Sequence, residues 1–251
     1  MTYRLGKRPA TRDDRDLLFA KYRADTLPPA PVGFDHTALV QHPWQMLAND
    51  RYGDCAIAGP AHETMLLNAA AGRQVEFNDE VVLDAYSVIT GFDPNDPASD
   101  QGSNVRDVLK YRASKGLEDA SGAVHTIGAY VALTPGSWDE LLQALYVFET
   151  VGIGLRFPNS AMTQFENGEP WDLVPNDPEP DEGHYVCVVN HPADDTVQVV
   201  TWGKLQTMTR AFYEHWNDES FCYVSEEDLS TEGATLEGFK LDELKADLAE
   251  L

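Results

Sequence analysis

A cysteine at the mouth of a helix can act as a nucleophile at neutral pH, and Gly53-Asp54-Cys55-Ala56 has that form. The preceding Asn49-Asp50-Arg51-Tyr52-Gly53 is rich in turn residues. From Cys55 the chain turns to Ala, Leu and Met and runs to Gly72, a helix-stop residue. The pattern predicts a helix with Asp54 as N-cap and Cys55 in its first turn. There the thiol would face unpaired backbone N–H groups and the positive end of the helix dipole, both of which favour thiolate. Pro60 opposes the carbonyl of Ala56, so the first turn should be irregular or the helix kinked. The competing reading of Cys55 is a buried, inert core thiol.

A thiol nucleophile needs a base. The seven histidines are His36, His42, His62, His125, His184, His191 and His215. His62 lies on the same helix as Cys55, about 10 Å along the axis, too far for a dyad. His184 follows Glu182-Gly183 and opens a β-rich run, 129 residues after Cys55. Thr201-Trp202-Gly203 closes the next β-rich run.

Helical periodicity is predicted at 78–90 (Val82, Ala85, Tyr86, Ile89), 103–115 (Val105, Val108, Leu109, Ala113) and 138–150 (Leu141, Leu142, Leu145, Phe148). Strands are predicted at 129–133, 152–157 and 221–224, with a hairpin from 184–190 and 196–202. Residues 159–182 read as a polar loop, 203–206 as a turn and 210–216 as a short helix. Helices come first and antiparallel strands second, which makes the fold class α+β. Residues 1–40 form an extended arm holding a short helix within 12–23, and the arm must dock on the body or on a neighbour. Residues 41–125 form a helical lobe, 126–230 a β lobe and 231–251 a helical tail.

The chain has 251 residues and a net charge of -24, with 43% hydrophobic residues. That composition fits a globular protein and repels phosphate backbones, which argues against nucleic acid. No run of 18 apolar residues offers a membrane span, and no apolar core follows the basic N-terminus. The expected location is cytoplasmic or virion-associated. Cys55, Cys187 and Cys222 make no disulfide framework; Cys187 and Cys222 either pair or stay reduced, the latter favoured without a signal peptide. The acidic loop 93–100 lacks calcium-loop spacing, so no metal or cofactor is expected.

The ordered set resembles the papain-like cysteine peptidase superfamily over residues 45–225. Gly53-x-Cys55 opening a helix is similar to the nucleophile segment, and Asp100-Gln101-Gly102-Ser103 before a helix to the glycine-bearing turn of the helical lobe. Gly183-His184-Tyr185-Val186 is similar to the Gly-His-Ala-Val strand, and Val200-Thr201-Trp202-Gly203 to the Asn-Ser-Trp-Gly turn. The separation of Cys55 from His184 is close to the family's about 130–150 residues. A looser similarity, through Asn-Asp-x-x-Gly-Asp-Cys and Thr-Trp-Gly, is to papain-like proteins of actinobacteria and their phages.

The resemblance implies a two-lobed fold with a β-barrel-like second lobe, and a thiol hydrolase cleaving peptide or amide bonds through an acyl-enzyme. Cys55 would be the nucleophile, His184 its base, Asn49 the oxyanion donor and Trp202 the shield of the histidine. The family's orienting Asn falls on Val200, which leaves Thr201 or a backbone carbonyl to hold His184. Partners would be a peptide or protein substrate. The alternative is a papain-like scaffold in a phage virion or other assembly, its arm docked on a like or unlike subunit. A transglutaminase-like or deamidating enzyme would use the same dyad.

Overall fold

The computed structural model describes residues 3–24, 27, 29–226 and 239–250. Three helices build the first lobe: α2 (Cys55–Ala70), α3 (Asp79–Thr90) and α4 (Val105–Ser114), preceded in the arm by the single turn α1 (Phe19–Tyr22). Asn78 caps α3 by accepting the Val81 N–H, and Asn104 caps α4 by accepting that of Arg106. Helix α2 is buried almost all round, as a central helix must be. It is the N-cap position of Asp54 that departs from expectation: its side chain makes no bond to the helix. The carboxylate instead accepts from the Asn49 amide at 2.9 Å. Pro60 sits inside the continuous helix, which runs on to Ala70.

The second lobe is an antiparallel sheet in the order β4-β9-β5-β6-β7-β8. Its strands are β4 (Ala129–Ala132), β5 (Val151–Arg156), β6 (Gly183–Ala193), β7 (Thr196–Thr201), β8 (Lys204–Thr209) and β9 (Asn217–Val224). The short β1 (Phe34–Asp35) adds to β6, and β2 (Leu117–Glu118) pairs with β3 (Val124–His125) as a separate ribbon. Among the described residues the sheet does not close: β4 and β8 are its edges, so the barrel-like lobe expected from the sequence is an open sheet. Helices α5 (Trp138–Phe148), α6 (Asn159–Asn167) and α7 (Arg210–Trp216) cover one face, burying Val186 and Val188. Helix α2 presses on the other, against Tyr185 and Cys187, the alternate residues of β6.

Three segments differ from the sequence reading. Residues 204–209 form strand β8, with Gln206 and Met208 inward, although only Leu205 and Met208 signal it. The polar loop contains α6, held by the buried i,i+4 pair Ala161 and Phe165 and stopped at the left-handed Gly168. In the arm, the expected helix within 12–23 shrinks to α1 because the Leu17 carbonyl accepts the N–H of Ala132 and docks the chain along β4. The C-terminal helix spans Leu241–Leu248; residues 231–238 and 251 of the expected helical tail lie outside the described residues. All three cysteines are free and buried. No helix is long and apolar enough to cross a membrane, and no metal-binding group of three ligands occurs, among the described residues.

The lobes are tied beneath the nucleophile by a buried polar cluster. Glu63 of α2 accepts from Arg112 Nη1 at 2.5 Å and from the Tyr185 hydroxyl at 2.8 Å. The Tyr185 and Tyr223 hydroxyls lie 2.6 Å apart, and the Arg112 guanidinium sits 4.3 Å from the Tyr223 ring centre. Both members of the ion pair are shut away from water, with side-chain exposures of 1% and 0%.

Candidate active site

Cys55 opens α2 and His184 is the second residue of β6; helix and sheet bring both to one small cavity between the lobes. Its volume is about 10 Å³, room for a single water at most. Asn49, Thr201 and Trp202 line the same cavity. The loop before Cys55 is held by Asp100, whose Oδ1 accepts from the Gly53 N–H at 3.1 Å and from the Tyr86 hydroxyl at 2.7 Å.

His184 is fixed on three sides. Its Nε2 pairs with Thr201 Oγ1 at 2.7 Å. Trp202 stacks on the ring at 4.4 Å between centres and 15° between planes, and Phe157 meets it edge-on at 5.2 Å. Nδ1 is buried and has no hydrogen-bond partner. Val200 points its apolar side chain into the core beside Cys187, so the polar contact to the imidazole comes from the next residue along.

Asn49 is placed differently from the role the resemblance implies. Its Nδ2 donates to the Tyr52 carbonyl at 3.1 Å and to Asp54 Oδ1 at 2.9 Å. Both amide hydrogens are therefore engaged, and an oxyanion could take one only if Asp54 released it. Burial pushes the Asp54 carboxyl well above the usual range, which weakens its claim on that hydrogen, and Asp54 Oδ2 has no partner.

The protonation state also departs from the sequence reading. Burial pushes the Cys55 thiol up to about 12, against hydrogen bonds from the backbone of Tyr185 and Gly6. Burial likewise pulls His184 down to about 3. The pair is thiol and neutral imidazole at pH 7, because desolvation outweighs the helix dipole in so closed a site.

What closes the site is the N-terminal arm. Gly6 and Lys7 both donate their N–H to the Gly183 carbonyl, at 3.2 and 3.1 Å. Ser103 N–H donates to the Gly6 carbonyl at 2.8 Å, and Arg8 N–H to the Ser103 carbonyl at 3.0 Å. Arg4 N–H donates to the Asn49 carbonyl, and Trp202 Nε1 to the Arg4 carbonyl at 3.3 Å. Residues 4–8 thus bridge both walls of the cleft, with Lys7 in isolated β-bridges to Ser103 on one side and Gly183 on the other. The sequence showed an arm that must dock; it carried no sign that Gly6 would lie over the thiol.

This architecture matches solved cysteine proteases. Xylellain, a cysteine protease from Xylella fastidiosa, superposes with a TM-score of 0.68 at 16% identity, over 89% of this chain and 97% of its own. ProCathepsin B S9 from Trypanosoma congolense gives 0.61 at 10% identity, over 89% and 87%. The cysteine protease and lectin-like domains of Cwp84, a surface layer associated protein of Clostridium difficile, give 0.60 at 14%, over 89% and 56%. No protein-family model and no curated protein matches the sequence. The chain has the papain-like fold, α+β with a helical lobe and an antiparallel sheet lobe.

Proposed function

We propose that the protein is a thiol hydrolase that cleaves peptide or other amide bonds through an acyl-enzyme, and that the conformation described is its latent state. One observation carries the reading: Cys55 and an imidazole with a free Nδ1, its Nε2 tied to Thr201, share one buried space. With the arm out of the cleft, His184 Nδ1 takes the thiol proton as Cys55 Sγ attacks the carbonyl carbon. The proton then passes to the leaving amine, and the C–N bond breaks to leave a thioester. Water, deprotonated by the same nitrogen, attacks the thioester carbon and releases the acid and the thiol. The backbone N–H of Cys55, among the unpaired donors of the helix start, and an Asn49 released from Asp54 are the oxyanion donors. A transglutaminase-like or deamidating activity follows if an amine replaces water or the amide is a side chain.

The test is labelling by an electrophilic acyl probe at neutral pH. Cys55→Ala should abolish it; equal labelling of the variant leaves only the scaffold reading, in which the fold serves a virion or other assembly. A second expected result concerns Thr201. Thr201→Val keeps the shape but leaves Nε2 of His184 without an acceptor, and should lower kcat by about 10²-fold, less than the about 10⁴ of a carboxylate orienter in serine enzymes. Thr201→Ser should retain most of the rate. A valine variant as fast as the parent would show that Trp202 packing alone holds the ring.

A further inference from the structure

The lobes part again at the far end of α2. A cavity of about 520 Å³ lies there, walled by the last turns of α2, the end of α5 and the end of β9. That size suits a small ligand. Arg112 of α4 and Tyr223 of β9 both line it, and the guanidinium stacks 4.3 Å from the ring centre, so the stack forms its floor.

The guanidinium is only half used. Glu63 takes Nη1 at 2.5 Å. Nε and Nη2, its side-on edge, are buried and have no hydrogen-bond partner among the described residues. That edge is a fork that grips a carboxylate with two parallel bonds. Arg15 does so in this same chain, where Nε and Nη2 hold Oδ1 and Oδ2 of Asp13 at 2.9 and 2.7 Å. Arg112 presents the same fork with nothing in it.

The rest of the wall narrows the ligand. His125 is spent, its Nε2 on Asp119 Oδ2 at 2.8 Å and its Nδ1 3.3 Å from Asn68 Nδ2. Arg73 Nε is held by Asn68 Oδ1 at 3.2 Å, and Glu226 Oε1 accepts from the Thr126 hydroxyl at 2.8 Å. With Arg112 offset by Glu63, Arg73 is set against two lining carboxylates, Glu149 and Glu226. No surplus of positive charge exists to hold a dianion. Leu67, Val147, Phe148 and Val224 supply apolar wall.

We propose that this rear cavity binds a monocarboxylate with a short apolar tail, its two oxygens accepting from Arg112 Nε and Nη2. Two buried donors without partners then gain charge-assisted bonds, and the tail covers apolar surface. An amide of the same shape has one oxygen for the fork and turns its own N–H groups toward the other donor. The site stands whether or not Cys55 reacts.

The test follows the thermal midpoint of the full-length chain, at constant ionic strength, with butyrate, butyramide, n-butylammonium or inorganic phosphate. Butyrate alone should raise it, by about 3 °C at ten times its dissociation constant. Arg112→Lys keeps a charge opposite Glu63 but has no fork, and should weaken butyrate at least tenfold. Glu63→Leu with Arg112→Leu should abolish the shift. No shift from butyrate, an equal one from butyramide or phosphate, or one undiminished in Arg112→Lys would overturn the proposal. Should neither variant fold, nitrogen-15 NMR of the parent decides: butyrate should displace a buried arginine Nε–H signal saturably and butyramide should not, and a signal that stays in place overturns the assignment.

Discussion

Gly6→Ala should raise the rate of Cys55 alkylation by iodoacetamide at pH 7.5 by about 10²-fold. A Cβ on Gly6 would lie 1.9 Å from the Gly53 carbonyl oxygen and 2.3 Å from its carbon, both backbone atoms that cannot swing aside. The arm must lift, and water then reaches the sulfur. A thiol held at about 12 under the arm falls toward the ordinary value of about 8.5, which multiplies the thiolate fraction by about 10³. Lower basicity makes each thiolate a weaker nucleophile, with a Brønsted slope of about 0.4–0.5, and takes back one to two powers of ten. Steric opening adds to what is left. The measurement is the second-order rate by mass spectrometry, with Cys55→Ala to subtract Cys187 and Cys222. A rate within twofold of the parent would mean that the arm does not control access.

Glu63→Ala should lower stability by about 3–5 kcal/mol, a fifth or more of what a typical domain has. The substitution leaves the Arg112 guanidinium charged, 1% exposed and facing only the Tyr223 ring. It also strips an acceptor from the Tyr185 hydroxyl. Replacing both members, Glu63→Leu with Arg112→Leu, should cost much less, because no unpaired charge remains. Urea unfolding checks this; a Glu63→Ala variant losing under about 1 kcal/mol would show that water or rearrangement satisfies the arginine. Since Tyr185 follows His184 on β6, the same cluster fixes the strand that carries the imidazole, and the single variant should lose activity before it unfolds.

The site was legible where chemistry forces a residue type onto a regular element. Cys55 at a helix start and His184 at a strand start follow from turn residues, periodicity and β-branched runs, all local signals. Thr201 was legible only as one option, because a hydroxyl pointing at an imidazole depends on a strand-end rotation that no local pattern encodes. The protonation state was not legible: the helix dipole is visible in sequence, but burial by a segment fifty residues upstream is not. Helix α6 and strand β8 were missed for a related reason. Their polar residues match a loop, and they are stabilised by packing of Phe165 and Met208 against a core assembled from distant strands.

Because the blocking strand belongs to the molecule it blocks, its contact is unimolecular, and dilution should not relieve it. A tethered segment sees its groove at an effective concentration in the millimolar range, whatever the amount of protein. A single backbone cut in the stretch between Lys7 and Phe19, where Pro9, Thr11, Arg12, Asp14 and Arg15 are exposed, would end that advantage. The liberated peptide would then compete only at its own bulk concentration and could diffuse away, making the opening effectively one-way.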